Sequence, residues 1–114
     1  MALIYKILAA VAWRAALARG VFDGAGIDLA DGYIHFSTAA QVAETAARHF
    51  ADRDDLVLVA VEDASLGDKL VYEPSRGGAL FPHLHAPLPT ALARFARPLH
   101  RRADGALDFS GMLE

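Results

Sequence analysis

Apolar and polar positions alternate or cluster along the chain in a way that assigns most of its elements. Leu3-Ile4-Tyr5-Lys6-Ile7 carries strand-favouring types and predicts a first strand. From about Leu8 to Arg19 the sequence turns Ala-rich and helix-prone, with Trp13 and Leu17 spaced i,i+4 on one face. Gly20 falls where a left-handed helix cap belongs. A loop punctuated by Asp23-Gly24, Gly26 and Asp31-Gly32 follows, then a short strand-like run, Tyr33-Ile34-His35-Phe36. Thr38 and Gln41 have the spacing of a capping box, and Val42, Ala46 and Phe50 form the apolar stripe of a helix reaching Asp52.

Asp54-Asp55 ends that helix. Leu56-Val57-Leu58-Val59-Ala60-Val61 is the most apolar run and predicts a central strand covered on both faces. Lys69-Leu70-Val71-Tyr72-Glu73 predicts another strand, closed by Pro74 and the turn at Arg76-Gly77-Gly78. Phe81 to Pro89 holds three prolines and is expected to be extended but irregular. Leu92 to His100 fits either a last strand or a short helix, and Asp104-Gly105 makes a turn before the tail. Helices and strands mix without regular βαβ alternation. The predicted class is α+β: one compact domain over residues 1–114, with two early helices and a small mixed or antiparallel sheet that can be split.

Composition narrows the chemistry. The chain has 114 residues and no cysteine, which excludes a disulfide framework, a thiol nucleophile and cysteine-ligated zinc. A net charge of -3 argues against a nucleic-acid partner held by a general positive field. No apolar run approaches the ~20 residues of a membrane span, and the first residues do not read as a signal peptide, so a cytoplasmic location is expected. The 54% of hydrophobic residues includes 24 alanines, so the core must rest on Trp13, the phenylalanines and tyrosines, and the aliphatic residues of the strands.

With cysteine absent, the histidines carry the candidate chemistry. Three of the five fall in two dense segments, Asp31-Gly32-Tyr33-Ile34-His35-Phe36-Ser37-Thr38 and Leu80-Phe81-Pro82-His83-Leu84-His85-Ala86-Pro87-Leu88. On an extended chain His35 and Ser37 point to one side. The N-terminus of a Thr38-capped helix beside them would seat an anion. The competing reading is a buried His35 satisfied by a carbonyl. His83 and His85 form an H-x-H pair, a common metal-ligand spacing, to which His35 or Glu73 would add ligands; ligand contact or a structural role are the alternatives. Glu73, at a strand end before a Gly-Gly turn, is placed either to face a cleft or to sit in solvent. Arg76 is either a loop charge or an anion contact. Tyr5, Tyr33 and Trp13 suit the core or a cleft wall, Lys6 and Lys69 the surface, and His49 and His100 solvated positions. No Walker loop, dinucleotide fingerprint or Gly-x-Ser-x-Gly is present.

The segments Ile4-Tyr5-x-Ile7, Trp13-x-x-Ala16, Asp31-Gly32-Tyr33-Ile34-His35-x-Ser37-Thr38-x-x-Gln41, Leu56-Val57-Leu58 and Glu73-Pro74, followed by Gly78-x-x-Phe81-Pro82-His83-Leu84, resemble a bacterial family known as domain of unknown function 952. The resemblance spans roughly Ile4 to Leu99. It implies a compact α+β fold that has been likened to the ADP-ribosyltransferase superfamily, whose members bind NAD in a cleft between two small sheets. On that analogy His35 and Glu73 would be catalytic, Glu73 orienting the nucleophile. Ser37, Thr38, His83, His85, Lys6 and Arg76 would contact a nucleotide or NAD-type ligand, with no metal required. Relatives usually carry His where this chain has Lys6, which puts a point charge in place of a neutral ring. The alternative is a non-catalytic module that binds a small molecule or a protein partner on the same scaffold. A weak histidine-carboxylate metal site is the remaining one.

Overall fold

The structure is a computed structural model that describes residues 2–114, with the side chain of Arg76 outside the described set. The element order is β1 (Leu3–Ala9), α1 (Ala10–Arg19), β2 (Val21–Phe22), α2 (Ile27–Asp31), β3 (Ile34–His35), β4 (Ser37–Thr38), α3 (Val42–His49), β5 (Leu56–Glu62), β6 (Leu70–Pro74), β7 (Leu80–Leu84), β8 (Leu88–Pro89), β9 (Ala93–Arg101) and β10 (Leu107–Asp108). Single 3-10 segments join β5 to β6, β6 to β7 and β8 to β9.

All described pairings are antiparallel. Five strands form one sheet in the order β10-β9-β5-β1-β4; β3, β7 and β6 form a second, and β2 pairs with β8 in a third. The class is therefore α+β with a split antiparallel sheet. β5 lies in the middle of the large sheet and packs on both sides, as its unbroken apolar run requires. Val59 and Val61 join Ile4, Leu8, Trp13, Ile34, Phe36 and Leu84 on one side. Leu56, Leu58 and Ala60 join Tyr5, Ile7, Val42 and Ala46 on the other.

Several elements differ from the sequence reading, each for a local reason. The core side of α1 runs through Ala10, Trp13 and Ala16, which leaves Leu17 half exposed. Gly20 does take the left-handed cap, its N–H donating to the carbonyls of Ala16 and Leu17. α3 begins at Val42 because Thr38 is engaged in β4; only the Gln41 half of the capping box forms, with Gln41 Oε1 accepting the Thr38 N–H at 3.0 Å. Phe81 to Leu84 is a regular central strand despite Pro82. The Pro82 carbonyl accepts the Phe36 N–H at 2.9 Å just where β3 ends, so its missing N–H falls beside the break between β3 and β4. The segment from Leu92 to His100 resolves as the strand β9, Ala93–Arg101, with Leu92 in the 3-10 segment before it. The five-residue α2 has too few turns to register as a period, and the sequence reading leaves it as loop.

The decisive local event is the step at Phe36. His35 pairs with His83 in the second sheet, whereas Ser37 pairs with Tyr5 in the first. The chain changes sheets across one buried phenylalanine.

Candidate functional site

The polar centre grows from α2. Gly26 and Gly32 bracket this helix, and it sets Asp28 beneath β1 and β3. Asp28 is almost wholly buried. Its Oδ1 lies 2.7 Å from His35 Nδ1 and accepts the His35 backbone N–H at 3.0 Å, while Oδ2 accepts the Ala25 N–H at 3.1 Å. Lys6 reaches it from β1, with Nζ 2.9 Å from Oδ2 and donating also to the His35 carbonyl at 2.9 Å. Burial alone would raise the Asp28 carboxyl, but the His35 hydrogen bond and the Lys6 charge outweigh it and hold it at about 2. Burial lowers the Lys6 ammonium, with Asp28 opposing. Lys6 is thus no surface residue: it lies between Ile4 and Leu8 on the inner side of β1, and Asp28 is what makes a cation tolerable there.

The other ring nitrogen of His35, Nε2, lies 3.0 Å from Asp31 Oδ2. Carboxylates only accept, so both contacts are hydrogen bonds when both ring nitrogens carry protons. Opposite His35 on β7, His83 is buried, with Nδ1 2.8 Å from Glu73 Oε1 and with Nε2 lacking any hydrogen-bond partner. His85 Nε2 lies 2.9 Å from the same Glu73 oxygen. Hydrogen bonds from His85 and His83 lower the Glu73 carboxyl below its ordinary value. Tyr33 lies against all three imidazoles, with ring centroids 4.6 Å from His35, 4.3 Å from His83 and 5.0 Å from His85. Partial desolvation, then Asp31 and Glu73, raise its phenol.

A cavity of about 470 Å³ opens beside this cluster. Lys6, Asp28, Asp31, Tyr33, His35, Ser37 and His83 all line it, together with apolar side chains of β1 and α3. Of the residues singled out by sequence, His35, Ser37, Lys6 and His83 therefore share one space. Glu73 and His85 stand behind the wall and reach it through His83. Thr38 lies off the lining, its N–H taken by Gln41. Ser37 Oγ is 2.8 Å from Thr45 Oγ1, within the wall formed by β4 and α3. The Arg76 side chain lies outside the described residues. Among the described residues no group of three or more His, Asp or Glu is arranged to hold a metal ion; His83 and His85 converge on a carboxylate oxygen instead. Among the described residues no helix is long and apolar enough to cross a membrane.

Sequence reasoning missed Asp28. Its only signal is its place three residues before Asp31 between two glycines, inside a segment that reads as loop.

The family model described as a protein of unknown function (DUF952) matches residues 7–93. The chain belongs to this family. It is similar to protein CC0527 of Caulobacter crescentus, whose crystal structure is 48% identical, with 94% of each chain covered and a TM-score of 0.90. The solution NMR structure of CC0527 gives 48% identity, covering 99% of this chain and 97% of that one, with a TM-score of 0.88. No curated protein matches. Within this DUF952 chain the polar cluster draws Lys6 from β1, Asp28 and Asp31 from α2, His35 from β3, Glu73 from β6 and His83 from β7, with Tyr33 just before β3 and His85 just after β7.

Proposed function

We propose that the cavity binds a small hydroxylated ligand of the nucleotide or NAD type, and that His83 receives the hydrogen bond or the proton of a ligand hydroxyl. The observation that carries this reading is the buried, unpartnered Nε2 of His83. Buried polar atoms are nearly always paired, and a native exception asks for an explanation. With Nδ1–H donated to Glu73, the neutral ring holds its lone pair on Nε2, the arrangement of a general base held in one tautomer by a carboxylate. Glu73 then works through His83, positioning the ring. The cavity volume falls within the range of small-molecule sites.

His35 and Asp31 supply the complementary half. A ring held at both nitrogens by carboxylates is fixed in place, and the half-exposed Asp31 oxygens can accept from a ribose-like diol. As an enzyme, the site would support transfer of the ADP-ribosyl group from an NAD-type donor: the C1′–nicotinamide bond breaks and nicotinamide leaves as the neutral base. An acceptor hydroxyl bonds to C1′ and gives its proton to His83 Nε2, and a nearby carboxylate stabilises the oxocarbenium-like transition state. A second reading, a binding module without catalysis, is favoured by Lys6, whose ammonium is turned towards Asp28 and the His35 carbonyl and not towards a ligand.

Thermal-shift titration with NAD, ADP-ribose and AMP tests the proposal. Ligand at ~100-fold over its dissociation constant stabilises by about 2.7 kcal/mol, a shift that His83→Ala should abolish. Absence of any shift at millimolar ligand would sink the nucleotide reading. Binding without nicotinamide release selects the non-catalytic one.

A further inference from the structure

The cavity has a second wall that the His83 reading does not use. Five consecutive residues of β1, Tyr5 to Ala9, line it. Side chains of a strand alternate between faces, so a cavity touching five in a row lies along the edge of the strand and not over one face. The ladder leaves this edge without a strand partner, facing the cavity and not bulk solvent. β4 pairs with Ile4 and Tyr5 and stops, whereas β5 pairs with β1 from Leu3 to Ala9. The Ala2 carbonyl accepts from the Asp63 N–H and the Ala10 N–H donates to the Asp55 carbonyl, so even-numbered residues address β5. The peptide groups of Tyr5 and Ile7 and the N–H of Ala9 point the other way, while the Ala9 carbonyl, at the N-cap of α1, accepts the first hydrogen bond of that helix. Beyond Tyr5 no strand among the described residues meets them.

The two sides of this edge differ in character. Lys6 binds Asp28, which places α2 and the carboxylate-histidine cluster on the side of Ile4, Lys6 and Leu8. Val42 and Phe50 pack with Tyr5 and Ile7, which places α3 on the other. We propose that the unpaired edge of Lys6–Ala9 is a strand-addition site for an extended segment of a partner protein. Its backbone pairs with the N–H and carbonyl of Ile7 and with the N–H of Ala9, and a basic or hydroxyl side chain faces Asp31. Main-chain hydrogen bonds supply affinity in such additions, and alternate side chains supply selectivity. The half-exposed Asp31 carboxylate gives the charge complementarity, and the Val42–Phe50 wall accepts an apolar side chain in the next position. This site goes beyond the small-ligand reading and stands without it.

The test uses the whole, isotopically labelled protein and a blocked hexapeptide alternating valine and lysine. The expected result is perturbation of the Ile7 and Ala9 amide signals with a dissociation constant of about 1 mM or tighter. A peptide N-methylated at alternate residues should bind at least about tenfold more weakly, because it keeps the side chains and loses the pairing edge. Ala9→Pro should do the same from the protein side. Ala9 has φ −62°, which proline adopts without strain, so this variant removes one outward N–H and keeps the fold. His83→Ala should leave peptide affinity intact, which separates this site from the small-ligand reading. No binding, equal binding of the N-methylated peptide, or unchanged binding by Ala9→Pro would each overturn the proposal. Tighter binding of a valine-glutamate peptide would overturn the assigned role of Asp31.

Discussion

Asp28 shows how one buried charge is made stable and then useful. The donors around it come from three elements: Lys6 on β1, the Ala25 N–H before α2, and both the N–H and the ring of His35 on β3. Removing a partner from a buried ion pair leaves an uncompensated charge, a loss of about 3–5 kcal/mol. Asp28→Ala should therefore cost about 3 kcal/mol in urea unfolding and release His35. The pH dependence follows from a depressed carboxyl. The stabilisation is complete above the unfolded value near 4 and is lost as pH falls through about 2. The wild-type protein should lose about 2 kcal/mol more than Asp28→Asn between pH 4.5 and pH 2, and equal losses would show that Asp28 is not the titrating group. Glu73→Gln makes a separate prediction. With the carboxylate replaced by an amide, the proton of His83 should redistribute from Nδ1 towards Nε2, read from the imidazole nitrogen shifts, and small-ligand affinity should fall.

Short elements set the site, and short elements are what periodicity reads least well. The long strands β1 and β5 and the helices α1 and α3 were legible in the sequence, because seven or more residues suffice to display a period. The central position of β5 followed from its unbroken apolar run, whereas the pairing of His35 with His83 across β3 and β7 has no signal in the spacing. α2, β3 and β4 have five residues or fewer, and their conformations are imposed by tertiary partners: Asp28 by its donors, Ser37 by Tyr5, His35 by His83. That is why Asp28 escaped notice and why Thr38, a reasonable helix cap by spacing, became a strand residue. Two glycines separate the kinds of constraint acting here. At Gly20, with φ 80° and open space around it, alanine meets only backbone strain of about 1–2 kcal/mol. At Gly24 an added Cβ would come within 2.8 Å of the Asp28 Cβ. Gly24→Ala should therefore cost more in thermal melting than Gly20→Ala and perturb the His35 ring signals, which Gly20→Ala should leave in place.

At the scale of the whole molecule, two apolar clusters share the β1–β5 ladder, one of them on the side of the polar cluster and the other on the side of α3 and the C-terminal tail. The tail belongs to the latter, with Phe109, Met112 and Leu113 packed against it and the Glu114 N–H donating to the Tyr5 hydroxyl at 3.1 Å. Because both clusters draw on the same strands, loss of either should unfold both, and near- and far-ultraviolet transitions should coincide. Leu58→Ala, at a fully buried position of β5, should cost about 2–5 kcal/mol. Leu17→Ala, half exposed on α1, should stay within about 0.5 kcal/mol. A Leu58→Ala variant that separated the two transitions would show two independent units.

The Lys6–Asp28 pair also constrains how this sequence can drift. A lineage that exchanges Lys6 for an aliphatic residue passes through an intermediate whose buried Asp28 carboxylate has lost its lysine partner. The passable routes are those that keep a donor at position 6, a histidine among them, or that change both positions together. Positions 6 and 28 lie 22 residues apart along the chain, yet they should be inherited as a unit.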